Sequence, residues 1–172
     1  MAATAEVMHV PVEVYLNSSY EPDAEYVGGV IVERPMGEYD HSSWQHAIEF
    51  WFARYAKEWG IRVRPELRIQ VSAGNFRVPD VTILDRSLPI EQVITHPPIA
   101  VFEILSPEDS MTRTLEKLAD YERMGIGAIW VIEPKQRHYF RYRDGQLSPC
   151  AVFELPGSAF SVPLAEIAAL AD

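Results

Sequence analysis

Two acidic side chains stand among apolar neighbours: Asp80 in FRVPDVTIL and Glu103 in IAVFEIL. An ionised carboxylate inside an apolar strand is costly unless a cation, a metal or a proton offsets its charge. Two strand-borne acids of this kind suit a hard cation, because Mg²⁺ typically takes one or two carboxylates and completes its shell with water and phosphate oxygens. Either acid alone has a plainer explanation, an edge strand facing solvent, and Pro79 permits an edge position. The pair, followed by a suitably placed lysine, favours the metal.

That lysine is Lys117. At about 100° per residue, the helix after Glu103 sets Lys117 between Met124 and Tyr121, at the margin of an apolar arc that includes Leu115, Leu118 and Met111. A lysine there can run its stem along the core boundary and bring its ammonium to the strand ends. Taken alone, a helix lysine is usually a solvated surface residue. An ammonium more than about 8 Å from both acids would be too distant to act on them. Glu122 breaks the pattern of the same helix.

These groups need a scaffold to hold them. Asp40 reads as an N-cap and Gly60 as the stop of a first helix, whose stripe of Trp44, Ala47, Ile48, Trp51, Phe52, Tyr55 and Trp59 should pack on a sheet. Before it, Glu25 to Arg34 reads as a strand or hairpin arm, with a tight turn expected at Gly28-Gly29. After it, Ile61–Val71 and Phe76–Leu84 read as two strands joined at Ser72–Asn75, followed by loop over 85–98. Ile99–Leu105 reads as a central strand covered on both faces. A helix from Asp109 or Ser110 to Met124, stopped by Gly125, leads to the strand Ala128–Glu133, which should run parallel to it. Strands over Gln136–Tyr142 and Ala151–Leu155, around the Asp144-Gly145 turn, and a short helix over Pro163–Leu170 complete the chain. The expected fold is α/β (α+β mixed), with a mixed central sheet flanked by helices. Residues 1–24 are expected to form an N-terminal arm and 25–172 a single domain.

With 15 Lys+Arg against 25 Asp+Glu, the 172-residue chain carries a net charge of −10. That charge repels polyanions at long range and argues against tight, sequence-independent nucleic-acid binding. It does not argue against an enzyme whose site needs its own carboxylates. Cys150 is the sole cysteine, which excludes an intrachain disulfide and a multi-cysteine zinc site. No signal-peptide pattern and no run of roughly 20 apolar residues is present, so a cytoplasmic protein without membrane contact is expected.

RVPDVTIL, FEILSPEDS, EKLADY and IWVIEP, in that order and with EYVGGVIVERPMGEYDHSSWQ upstream, resemble the Uma2 (DUF820) family of the PD-(D/E)XK nuclease superfamily. The resemblance implies a restriction-endonuclease-like core with a metal site at a fork between strands. Asp80 matches the acid of the PD motif and Glu103 the acid of (D/E)XK. Leu105 stands where the usual lysine would fall, and the family pattern takes the lysine from the next helix, here Lys117. Gly28 stands where many relatives carry an acid, and Glu25 is a candidate auxiliary acid. The implied activity is Mg²⁺- or Mn²⁺-dependent hydrolysis of DNA, with Asp80, Glu103 and the Ile104 carbonyl as metal ligands.

Other features carry less. His41 lies at the helix start, where it could line the cleft or serve as a cap, and it shares no good face with His46 for a zinc pair. Ser106 and Asp109 read as strand stop and helix cap. Arg62, Arg64, Arg68 and Arg77 give the hairpin basic charge, for contact with phosphates or as an ordinary solvent face. Two readings compete with the nuclease: a catalytically inactive nuclease-fold binding or accessory module, and a homodimer packed by the aromatic helix.

Overall fold

Alternating hydrophobicity and a few breakers divide the chain into short elements. The computed structural model describes residues 8–172. From the N-terminus these are α1 (Val12–Leu16), β1 (Ala24–Val27), β2 (Val30–Glu33), α2 (Tyr39–Tyr55), β3 (Ile61–Pro65), β4 (Ile69–Ser72), β5 (Asn75–Arg77) and β6 (Val81–Asp85). Then come β7 (Ala100–Ile104), α3 (Met111–Met124), β8 (Ala128–Glu133), β9 (His138–Arg143), β10 (Gln146–Pro149), β11 (Val152–Glu154), β12 (Ser161–Pro163) and α4 (Leu164–Ala171). The main sheet has the order β10-β9-β8-β7-β6-β3, and a smaller one the order β2-β1-β5-β4. β7 and β8 pair in parallel, with Glu103 opposite Val131, as the crossover through α3 requires.

Alternation along the central strands decides what faces what. Phe102 and Ile104 of β7, with Val81 and Ile83 of β6, pack under Trp44, Ile48, Trp51 and Phe52 of α2 and Ile167 of α4. Val101 of β7 and Ile129 and Val131 of β8 pack under Leu118 and Tyr121 of α3. Glu103 shares that second face. The aromatic stripe of α2 from Trp44 to Phe52 is thus packed against the sheet.

Several boundaries differ from expectation. The segment read as one hairpin is cut twice, at Pro65-Glu66, where Glu66 has φ 47°, and at Val78–Asp80, where Pro79 lacks an N–H. β3 and β6 therefore pair in the main sheet while β4 and β5 join the smaller one. Helix α2 begins after Glu38 and ends at Tyr55, short of Gly60. Beyond the Asp144-Gly145 turn, β10 returns along β9, and β11 pairs with β12 instead. Within the expected N-terminal arm, α1 buries Tyr15 against Tyr26 and Phe76. At the Gly28-Gly29 turn, φ values of 58° and 86° fall in the left-handed region that glycine tolerates.

The structure also explains Glu122. Its carboxylate accepts the N–H groups of Asp144 (2.5 Å) and Gly145 (3.3 Å), two residues with positive φ that turn β9 into β10. Glu122→Ala is expected to cost about 0.5–1.5 kcal/mol, seen as a lower denaturant midpoint with any catalytic activity unchanged.

Candidate active site

β6 and β7 pair only as far as Val81 opposite Phe102, extended by one bond from the Asp80 N–H to the Phe102 carbonyl (3.1 Å). Past that point the strands part. The Ile104 N–H, left without a strand partner, donates to Asp80 Oδ2 at 2.6 Å. Asp80 thus precedes β6 as a carboxylate wedged into the fork, where a position inside a strand was expected. Gln45 of α2 steadies it by donating to its backbone carbonyl (3.0 Å).

The other carboxylate oxygen of Asp80 meets the Arg34 guanidinium, with His41 Nε2 3.2 Å away. Burial opposes ionisation, but the bond from His41 and the charge of Arg34 hold the Asp80 carboxyl below the usual range. By the same contact His41 is held above its ordinary value, although its own burial works the other way.

Glu103 accepts from Tyr121 Oη at 2.7 Å and from Lys117 Nζ at 2.8 Å. Burial dominates here and pushes its carboxyl up to about 7; Lys117 opposes this, while Asp80 and Glu25 reinforce it. Lys117 Nζ also reaches Glu25 Oε1 (2.8 Å) and the Val78 carbonyl (3.2 Å). Three acceptors therefore surround the ammonium. Burial works against its charge, but Glu103 and Glu25 outweigh it, so Lys117 stays protonated.

Lys117 does not lie at the margin of the helix's buried face. It lies inside that face. Met111 and Leu115 are exposed, and Thr114, Leu118, Asp120 and Tyr121 are buried. Apolar residues alone mislead at this helix because its buried side includes a polar network.

Glu25 organises the floor of the site. It accepts from Arg77 Nη1 (3.0 Å) and the Val78 N–H (3.0 Å), and Arg77 also pairs with Asp120 at 2.6 Å. Arg77 is consequently interior, which corrects its assignment to an exposed hairpin surface. Arg62 donates to the Leu88 carbonyl (3.0 Å), Arg64 to the Val63 carbonyl (2.6 Å), and Arg68 stacks over Tyr15 (4.5 Å). None of these three lines the cleft. Asp109 accepts the Ser106 N–H (2.6 Å) in the turn before α3, whose N-cap is Ser110.

The site opens into a cleft of about 1040 Å³ lined by Glu25, Arg34, His41, Asp80, Glu103 and Lys117, among others. Its rim is acidic, with Glu21, Asp23, Glu33, Glu66, Glu108 and Glu116 all exposed. Sequence reasoning passed over Arg34, Gln45 and Tyr121. Arg34 carried one signal, as the sole Lys or Arg before Arg54. Among the described residues no three His, Cys, Asp or Glu side chains converge as a metal cage. A hard cation that keeps several waters needs no such cage, and Asp80, Glu103 and Ile104, which line the same cleft, offer it oxygen donors.

A sequence profile of Uma2, described as "Putative restriction endonuclease", matches residues 12–167. The chain belongs to the Uma2 family. The crystal structure of a "putative nuclease belonging to DUF820" from Anabaena variabilis ATCC 29413 superposes with TM-score 0.82 at 22% identity, covering 95% of this chain and 99% of that one. This Uma2 protein therefore has the fold of that structure. A cryo-EM structure of a DrdV–DNA complex aligns at TM-score 0.45 and 20% identity, over 78% of this chain and 11% of that one, too weakly to carry an argument. No curated protein matches the sequence. No helix among the described residues is long and apolar enough to cross a membrane.

A pH dependence follows from Glu103. Its folded-state pKa, about 7, lies above the ordinary 4.5, so the folded Uma2 chain binds this proton more tightly than the unfolded one. The associated stability is full below about pH 4.5 and is lost as pH rises towards 7, with a limiting slope of about 1.4 kcal/mol per pH unit. Denaturant unfolding between these limits should show the decline, and Glu103→Gln should flatten it.

Proposed function

We propose that this cleft is the active site of a Mg²⁺- or Mn²⁺-dependent endonuclease that hydrolyses phosphodiester bonds of DNA. The observation that carries the reading is the placing of two buried carboxylates at a strand fork, one of them in contact with a buried, charged lysine. Asp80, Glu103 and the Ile104 carbonyl are the groups to hold a cation, whose chemistry is to polarise the scissile phosphate and acidify a water. Lys117, with its protons already directed at acceptors and no free lone pair, acts as a donor and not as a base. It fixes the Glu103 carboxylate and places positive charge where the phosphate gains negative charge. His41 and the Ile104 N–H hold the Asp80 carboxylate in its orientation, and Tyr121 does the same for Glu103. Glu25 acts indirectly, by fixing Lys117 and the Val78–Asp80 segment.

The test is cleavage of single-stranded, duplex and structured DNA by the purified protein in Mg²⁺ or Mn²⁺, beside a chelator control and Glu103→Gln. Cutting that needs the cation and fails in Glu103→Gln is expected. Cutting that survives chelation or that substitution would remove the assigned site.

A second reading, a nuclease-fold module that binds without turnover, draws on one observation. The cleft carboxylates are each already paired with a cation of the protein, beneath an acidic rim. It predicts no cleavage of any DNA and no saturable binding of Mn²⁺.

A further inference from the structure

Arg34 is a largely buried basic group of the cleft that the proposed reaction leaves without a task, whereas Arg113 lines the same cleft as an exposed side chain. It follows β2, its N–H donates to the Asp23 carbonyl (3.1 Å), and its side chain is 13% exposed. The guanidinium is shared between an acid at the floor and an acid at the rim. One nitrogen meets Asp80 Oδ1, and the other lies 3.3 Å from Glu66 Oε1, on a side chain 44% exposed. Arg77 is the contrast, since both its partners, Glu25 and Asp120, are buried and lock it in place.

Arg34 is therefore poised to change partners. Asp80 keeps His41 and the Ile104 N–H if the guanidinium leaves. Glu66 would keep hold of Arg34 at the cleft mouth. A planar guanidinium fork matches the two free oxygens of a phosphodiester better than an ammonium does. The floor contact also makes Arg34 a competitor, because it occupies the carboxylate oxygen that a cation would claim.

We propose that Arg34 is a phosphate-binding residue of this site, shared between Asp80 and Glu66 and turned to the substrate phosphate, with Glu66 as its anchor, when Asp80 takes a cation. The substrate class rests on the nuclease reading, but contact with a phosphodiester is testable without turnover. Removing Arg34 has two effects of opposite sign. It frees Asp80 for the cation and deprives the phosphate of its donor. A residue that only shaped Asp80 would lose both kinds of binding together.

The experiment uses the full chain with Ca²⁺ to limit turnover and a short thymidine oligonucleotide as the probe. By fluorescence anisotropy, Arg34→Ala should bind the oligonucleotide roughly tenfold to a hundredfold more weakly than wild type. By calorimetry it should bind Mn²⁺ at least as tightly. Arg34→Lys should recover only part of the oligonucleotide affinity. In the wild type, the Arg34 Nε–H resonance should move on adding oligonucleotide. Unchanged oligonucleotide affinity in Arg34→Ala, metal affinity that falls with it, an unmoved resonance, or a wild type that binds no oligonucleotide would each overturn the proposal. If Arg34→Ala does not fold, Arg34→Lys and the wild-type resonance decide. A wild type that binds the oligonucleotide through Arg34 yet cleaves no DNA would fail the nuclease reading and leave this one standing.

Discussion

Lys117→Ala is expected to lower DNA cleavage by roughly 10²–10³-fold and to destabilise the fold by about 3 kcal/mol. The two effects share one origin. The ammonium stands 2.8 Å from both Glu25 and Glu103, so truncation leaves two buried carboxylates without the cation between them. Glu25 retains Arg77 and the Val78 N–H, whereas Glu103 retains only the Tyr121 hydroxyl. The loss therefore falls mainly on Glu103, whose pKa must rise further above its wild-type value of about 7. A protonated Glu103 needs no counter-charge. The stability gap between variant and wild type should thus be widest above about pH 7 and should narrow as pH falls towards 5. Chemical denaturation at both ends of that range tests it, and a gap that ignores pH would contradict it. Lys117→Arg should recover more stability than activity, because a guanidinium cannot reproduce contacts spread over Glu25, Glu103 and the Val78 carbonyl.

Asp80→Asn should lower cleavage by about 10³-fold while leaving the chain folded. An asparagine oxygen keeps the shape of the wedge and can still accept the Ile104 N–H that the fork leaves over. What disappears is the negative charge that holds Arg34 and His41 at one oxygen, and that the proposed cation would need. Initial rates at saturating DNA, beside thermal melts monitored by circular dichroism, separate the chemical loss from a structural one. A variant within tenfold of wild type would mean that Asp80 serves the fork and not the chemistry.

Much of this site is readable in local sequence, for a physical reason. Glu103 is conspicuous because β7 is buried on both faces, and each of its neighbours there is apolar. The crossover from β7 through α3 to β8 follows from one apolar strand, one capped helix and a second apolar strand. The apolar arc of α3 puts Lys117 within reach of the acids but at the margin of the buried face, whereas the side chain lies inside it. The split of β3 from β4, and of β5 from β6, depends instead on pairing across two sheets, and Pro65 and Pro79 are its faint local trace. Arg34 reaches the site from a neighbouring hairpin and hydropathy does not mark it, while the apolar arc of α3 marks Tyr121 but not the bond of its hydroxyl to Glu103. The same blindness set the buried arc of α3 around Leu115, which is exposed, and away from Thr114 and Asp120, which are buried. A polar network inside a core pairs by charge, and a pattern search for apolar faces does not register it.

Asp80 and Glu103 are proposed to hold a divalent cation together. Calorimetric titration of the purified chain with Mn²⁺ at a pH near 7, repeated in two buffers of different ionisation enthalpy, tests it most directly. Saturable binding that releases a fraction of a proton from Glu103, and that disappears in Asp80→Asn, is the predicted result. Absence of saturable binding in the wild type, or binding that Asp80→Asn leaves unchanged, would contradict it.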